Sequence, residues 1–190
     1  RLAAGLRAAG VEPGDRVVAV VRNAADSIVA CLAVTGLGAT WSSTAPDMGA
    51  GAILSRFGQL EPRWLVTHTT QRYGGQVVPL GPLVGEIVAA LPTLAGVIAL
   101  DPDPLPALGQ KVHTRAALDD AGAALLVRAA VGEGHAPHPD AGQSARGPIE
   151  TAPDGGSGRQ QGFPWPRFAF DHPLFTLFSS GTTGAPKCIV

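Results

Sequence analysis

The chain has 190 residues, with 14 Lys and Arg against 15 Asp and Glu for a formal charge of −1, and 45% of it is hydrophobic. That length supports one domain with a real core, or part of a larger one. The balanced charge argues against a nucleic-acid clamp or a polybasic membrane anchor, and no apolar run approaches the roughly 18 to 20 residues of a membrane span. The two cysteines, Cys31 and Cys188, lie far apart and suggest neither a disulfide framework nor a metal site, which fits a reducing cytoplasm.

Arg1 enters directly into a helical pattern, with no charged and apolar leader ahead of it. The chain stops at Val190, directly after its most informative stretch, so a piece of a longer protein with incomplete chemistry is expected. Leu2 and Leu6 sit four apart with Gly10 behind them as a C-cap, predicting a short helix. Pro13 and Gly14 make a turn. Residues 17–21 form a continuous apolar run, the pattern of a parallel strand buried on both faces. Residues 26–37 read as a helix with Ile28, Cys31, Leu32 and Val34 inward, and residues 39–41 as a short return strand.

A second unit follows. Thr44 and Asp47, three apart, resemble a helix start with a hydroxyl cap, and Ile53, Leu54, Phe57 and Leu60 share one helical face. Pro62 ends that helix before a strand at 64–66. A third unit places Leu83, Val84, Ile87, Val88 and Leu91 on a helix stopped by Pro92, with a strand at 97–100. Residues 114–130 read as a further helix carrying Leu118, Leu125 and Leu126 on one side. Strands alternating with helices define an α/β protein of layered βα units. The expected organisation is an α/β part over 1–131, an insertion over 132–160, and a strand, loop and strand over 161–190 belonging to the same domain.

The insertion carries seven Gly and four Pro in 29 residues. It has too little apolar surface to offset its ordering entropy and is expected to be disordered. His135 and His138 within it read as solvated side chains, because a metal site needs further ligands and a rigid support. No metal ligands are assigned anywhere in the chain. His68, His172 and Cys188 receive no chemical role, His172 being read as part of a turn before Pro173, and Trp41 reads as core.

Residues 179–187 read SSGTTGAPK, after a strand expected at 174–178. Gly181 and Gly184 let the backbone turn its N–H groups toward one point. Ser179, Ser180, Thr182 and Thr183 add neutral donors, and Lys187 adds a full positive charge. Many convergent donors and one cation are what a polyphosphate needs. A Walker A loop does not fit: its second glycine would fall on Pro186, which has no N–H, and Cys188 follows the lysine where Ser or Thr is required. The residues from Cys188 onward look like a strand, so strand, phosphate loop, strand is the expected geometry. A bare Gly/Thr-rich hairpin is the alternative.

The stretch LFSSGTTGAPKCIV, residues 177–190, resembles the phosphate-loop signature of adenylate-forming enzymes, the superfamily of acyl-CoA synthetases, luciferases and peptide-synthetase adenylation domains. GATWSSTAPDMGAGAILSRFGQLEPRWLV (38–66) and FDHPLFTLFSSGTTG (170–184) are similar to its acetoacetyl-CoA synthetase branch. The resemblance implies the large N-terminal domain of that superfamily, incomplete here, and a two-step reaction. A carboxylate, here acetoacetate, attacks the α-phosphorus of Mg-ATP to give an acyl-adenylate and pyrophosphate, and the thiol of CoA then displaces AMP. It implies ATP, Mg²⁺ and CoA as cofactors or substrates, with no nucleic-acid partner. Ser179, Ser180, Gly181, Thr182, Thr183 and Gly184 would hold the ATP phosphates, with Lys187 as the catalytic counter-charge. Arg72, in the run Arg72-Tyr73-Gly74-Gly75, is similar to a segment at the CoA nucleotide, and an ordinary surface turn is the competing reading. Another short-chain acid, or a truncated remnant without turnover, are the rival functions.

Overall fold

The computed structural model describes residues 1–131, 163–179 and 186–190. The expected insertion at 132–160, with His135 and His138, lies outside the described residues.

Five strands form one parallel sheet: β1 (Arg16–Val20), β2 (Thr40–Thr44), β3 (Trp64–Thr67), β6 (Gly96–Ala99) and β7 (Lys111–Thr114). Their order is β2-β1-β3-β6-β7, every pairing parallel. Because side chains alternate across a strand, each run feeds two cores. Val17, Ala19, Trp64, Val66 and Ile98 face helices α1 (Leu2–Ala9), α2 (Ala25–Gly36) and α5 (Arg115–Val131). Val18, Val20, Leu65 and Val97 face α3 (Gly49–Phe57) and α4 (Gly81–Ala90). Helices on both faces explain why the strand sequences are almost continuously apolar.

The first helix is capped as expected: Gly10 takes φ 104°, and its N–H reaches the Arg7 carbonyl. Helix α1 packs on α5 through glycines. A Cβ on Gly5 would lie 1.9 Å from the Leu118 carbonyl oxygen, and one on Gly122 would lie 2.1 Å from that of Arg1. Leu118 is buried in this contact, whereas Leu125 is exposed, so the leucine face expected for α5 holds only in part.

Helix α2 corrects another expectation. Ile28 and Leu32 point outward, 59% and 64% exposed, while Ala30, Ala33, Val34 and Leu37 are buried. The latter four follow the i, i+3, i+4, i+7 spacing of one face, and small alanines let the helix sit close to the sheet. Val34 is buried as expected and Cys31 packs against the same core, but hydrophobicity alone turned Ile28 and Leu32 the wrong way.

The start of α3 also differs. Thr44 ends β2, a 3₁₀ turn at Pro46–Met48 follows, and α3 begins only at Gly49 without a side-chain cap. The Thr44 hydroxyl is buried and bonds nothing among the described residues. Two features had no counterpart in the sequence reading. One is the hairpin of β4 (Thr70–Tyr73) and β5 (Gln76–Pro79), and the other is edge strand β7.

The segment after residue 162 lies over the end of α2. A Cβ on Gly36 would meet the Trp165 ring at 2.5 Å, and one on Gly38 would meet Phe168 at 2.2 Å. His172 stacks on Phe168 at 4.3 Å between ring centroids, and its Nε2 lies 2.9 Å from the Gly38 carbonyl, a structural role in the turn. The Trp41 N–H donates to Leu174, and the Thr176 N–H donates to Trp41, both at 2.9 Å. Phe175 thereby makes a single parallel bridge to Trp41. The strand expected at 174–178 is this bridge followed by β8 (Leu177–Ser179).

Candidate functional site

Strand β8 pairs antiparallel with β9 (Lys187–Ile189), in register Leu177 with Ile189, Phe178 with Cys188, and Ser179 with Lys187. The two ends of the SSGTTGAPK run are therefore cross-strand partners, and both are exposed. Ser180, Gly181, Thr182, Thr183 and Gly184 lie outside the described residues. The hairpin is tethered to the turn after α3 by Gln59, whose Nε2 donates to the Pro186 carbonyl at 3.0 Å. Beneath it lies a cavity of about 680 Å³ lined by Cys31, Trp41, Ser43, Met48, Arg56 and Phe178, among others. Burial pushes the Cys31 thiol pKa up, which disfavours the thiolate.

A second cleft, of about 560 Å³, opens at the carboxyl edge of the sheet and is lined by Arg22, Asn23, Thr70, Gln71, Arg72 and Val77. Its place follows from topology. The chain runs from β1 outward to β2, then crosses back to β3 on the other side of β1. Connections leave β1 and β3 in opposite directions, and such a switch point leaves a crevice beyond the strand ends.

Three strand exits converge there. Arg22 follows β1, His68 and Thr69 follow β3, and Asp101 follows β6. The Arg22 guanidinium donates from Nη2 to Asp101 Oδ1 at 2.7 Å and from Nη1 to Oδ2 at 3.1 Å, and Nη1 also donates to the Thr70 carbonyl at 2.6 Å. Asp101 accepts two further bonds from Thr69, from its N–H at 2.9 Å and its hydroxyl at 3.2 Å. Burial alone would raise the Asp101 pKa. The Thr69 N–H and the Arg22 guanidinium outweigh it and hold the carboxyl below its ordinary value.

His68 is fully buried, and its Nδ1 accepts the Arg22 N–H at 3.4 Å, while its Nε2 has no partner among the described residues. Burial first, then the charge of Arg22, push its pKa down, with Asp101 and Asp26 offsetting part of that.

Of the residues assigned from sequence, Ser179 and Lys187 meet at the base of one loop, and Arg72 lies apart from them in the cleft. Arg22, Asp101 and His68 had been passed over. Their signal is positional: each stands one or two residues beyond a buried parallel strand, where binding residues collect in α/β sheets. Among the described residues no group of three or more His, Cys, Asp or Glu gathers as a metal site, and no helix is long and apolar enough to cross a membrane.

These features define a doubly wound α/β protein with an added hairpin that pairs Ser179 with Lys187 at the two ends of a Ser/Thr/Gly-rich run. The AMP-binding enzyme family model matches residues 1–190, and the chain belongs to that family. The chain is similar to the solved acetoacetyl-CoA synthetase from Streptomyces lividans, at 34% identity and a TM-score of 0.70, over 99% of this chain and 23% of that one. It is 32% identical to the acetoacetyl-CoA synthetase of Macaca fascicularis over 99% of this chain and 24% of the relative. It is also 32% identical to a malonamoyl-CoA synthetase of Penicillium aethiopicum over 100% of this chain and 22% of the relative. The chain thus spans about a quarter of the length of the curated relatives it matches.

Proposed function

We propose that the chain is the ATP-phosphate-binding segment of a cytoplasmic acetoacetate–CoA ligase, inactive by itself. The observation that carries this reading is the cross-strand pairing of Ser179 with Lys187, which closes a Gly/Thr loop in a chain similar to acetoacetyl-CoA synthetases. In the proposed reaction acetoacetate attacks the α-phosphorus of Mg-ATP, the bond to the bridging oxygen breaks, and pyrophosphate leaves. Negative charge accumulates on that leaving group. Backbone N–H groups at Gly181 and Gly184, hydroxyls of Ser179, Ser180, Thr182 and Thr183, and the Lys187 ammonium would stabilise it as it develops. No general base is needed, since a carboxylic acid is already ionised at neutral pH.

The CoA thiol then attacks the acyl carbon of the adenylate and AMP departs. Arg72 is proposed to pair with the phosphates of the CoA nucleotide. Its place in a cleft lined by two arginines supports that role over a plain surface turn. The residue blocks 1–131 and 161–190 are proposed to belong to one domain interrupted by the 132–160 insertion.

In the complete ligase, Lys187→Ala should slow acetoacetate-dependent ATP–pyrophosphate exchange by about 100-fold while changing the KM for acetoacetate little. An unchanged exchange rate would count against the loop. Acetoacetate should give the highest kcat/KM among short acids. The malonamoyl-CoA synthetase relative favours one specific alternative, a ligase for another short acid carrying a second polar carbonyl. A higher kcat/KM for malonamate would select it.

A further inference from the structure

The two arginines of the cleft are held differently. Arg72 sits on an exposed hairpin, and among the described residues no hydrogen bond or ion pair engages its side chain. Arg22 is gripped by both oxygens of Asp101, a residue only 7% exposed, and by the Thr70 carbonyl. With its charge met by Asp101, Arg22 is poorly suited to be the main anion ligand.

What Arg22 does hold is the base of the hairpin. His68 and Thr69 connect β3 to β4, which opens at Thr70. Thr69 donates twice to Asp101, Thr70 accepts from Arg22, and the Leu80 N–H donates to the Thr69 carbonyl at 2.8 Å where β5 returns. Strands of four residues do not fix their own direction when paired only with each other. The hairpin is no part of the five-stranded sheet, so its aim depends on these tethers. Arg72 lies two residues beyond Thr70 on the same side of β4, one pleat away from the grip.

We infer that Arg22, locked by Asp101, is a positioning residue that aims the β4–β5 hairpin so that Arg72 meets the phosphates of CoA. This rests on the CoA reading of Arg72 given above. The arrangement joins a fixed, neutralised arginine to a free one, so that the free charge arrives pre-placed rather than searching for its ligand.

The test is calorimetric binding of CoA to the complete ligase, with amide hydrogen exchange over residues 71–78 as a second readout. Arg72→Ala should weaken CoA binding about tenfold and leave exchange in the hairpin unchanged. Arg22→Met should weaken binding by about the same factor, speed exchange in the hairpin, and add almost nothing in the Arg72→Ala background. Asp101→Asn keeps the Arg22 charge but loosens its lock, so it also should weaken binding and speed exchange. It carries the test if Arg22→Met does not fold.

Tighter CoA binding by Asp101→Asn would mean that Arg22 contacts the anion itself and would overturn the positioning role. Loss of binding in Arg72→Ala alone, with both other variants unchanged, would remove the clamp and leave the CoA reading standing. No CoA binding by the unsubstituted ligase, or no effect of Arg72→Ala, would bring down both.

Discussion

Asp101 reaches Arg22 across 79 positions of the sequence, whereas Lys187 faces Ser179 across eight. The cleft is assembled from the exits of three buried strands, and its central acid is all but sealed from water. The hairpin carrying Lys187 is made of adjacent residues, most of them exposed, and hangs from the sheet by the Trp41 bridge and the Gln59 tether. One region is long-range and anchored, the other local and peripherally attached. A site that must hold a hairpin in a set direction needs the first construction. The loop proposed to hold a flexible polyphosphate can use the second.

Substitutions that act on one region and spare the other sharpen this contrast. Asp101→Asn should cost the most, about 2 kcal/mol, because it weakens a charge pair whose acid is nearly buried and that ties three loops together. Thermal or denaturant unfolding measures it, and the Trp41–Thr176 attachment should be untouched. A loss within experimental error would mean the cleft is no more anchored than the hairpin.

Gly38→Ala should cost less, about 1 kcal/mol. The residue sits at φ +81°, where a side chain is strained, and its Cβ would displace the Phe168 ring. The clash part of the loss is capped by the free energy with which residues 163–176 dock, while the backbone strain at residue 38 remains whether or not that segment is docked. Faster hydrogen exchange at Thr176, with unchanged exchange at Thr69, is the expected pattern.

The smallest effect is a pH dependence. The folded state lowers the His68 pKa, so below about pH 6.5 the unfolded chain binds a proton that the folded chain resists. Stability should therefore be flat above that value and decline as the pH falls through it, until the folded pKa is passed. His68→Asn should flatten part of the decline. His113, whose pKa burial and Lys111 also lower, remains in both proteins and cancels in the difference. Asp101 contributes only at more acid pH, since its carboxyl is held below its usual range. Identical pH profiles for the two proteins would contradict this account of His68.

How much was legible in the sequence follows the same division. The strands at 17–21, 64–66 and 97–100 were visible because burial on both faces forces unbroken apolar runs, and Gly10 and Pro92 marked helix ends, whereas α3 stops at Phe57, short of the Pro62 expected to end it. The proposed phosphate loop could be read from sequence at all because the chemistry assigned to it lies in consecutive residues. Arg22, His68 and Asp101 were not, because their meeting depends on strand order, which no local pattern encodes. The face of α2 was misread at Ile28 and Leu32 because two of its inward positions, Ala30 and Ala33, are alanines, whose value is close approach rather than hydrophobic area. Strand β7 was missed because, at the sheet edge, it is four residues long and mostly exposed.

The central claim is that the loop between Ser179 and Lys187 receives the tail of ATP. A crystal structure of the complete ligase with a non-hydrolysable ATP analogue and Mg²⁺ tests it most directly. The account predicts the β- and γ-phosphates within hydrogen-bonding distance of the Thr182, Thr183 and Gly184 N–H groups, with Lys187 turned toward them. Phosphates bound at another part of the molecule, with this loop uncontacted, would contradict it.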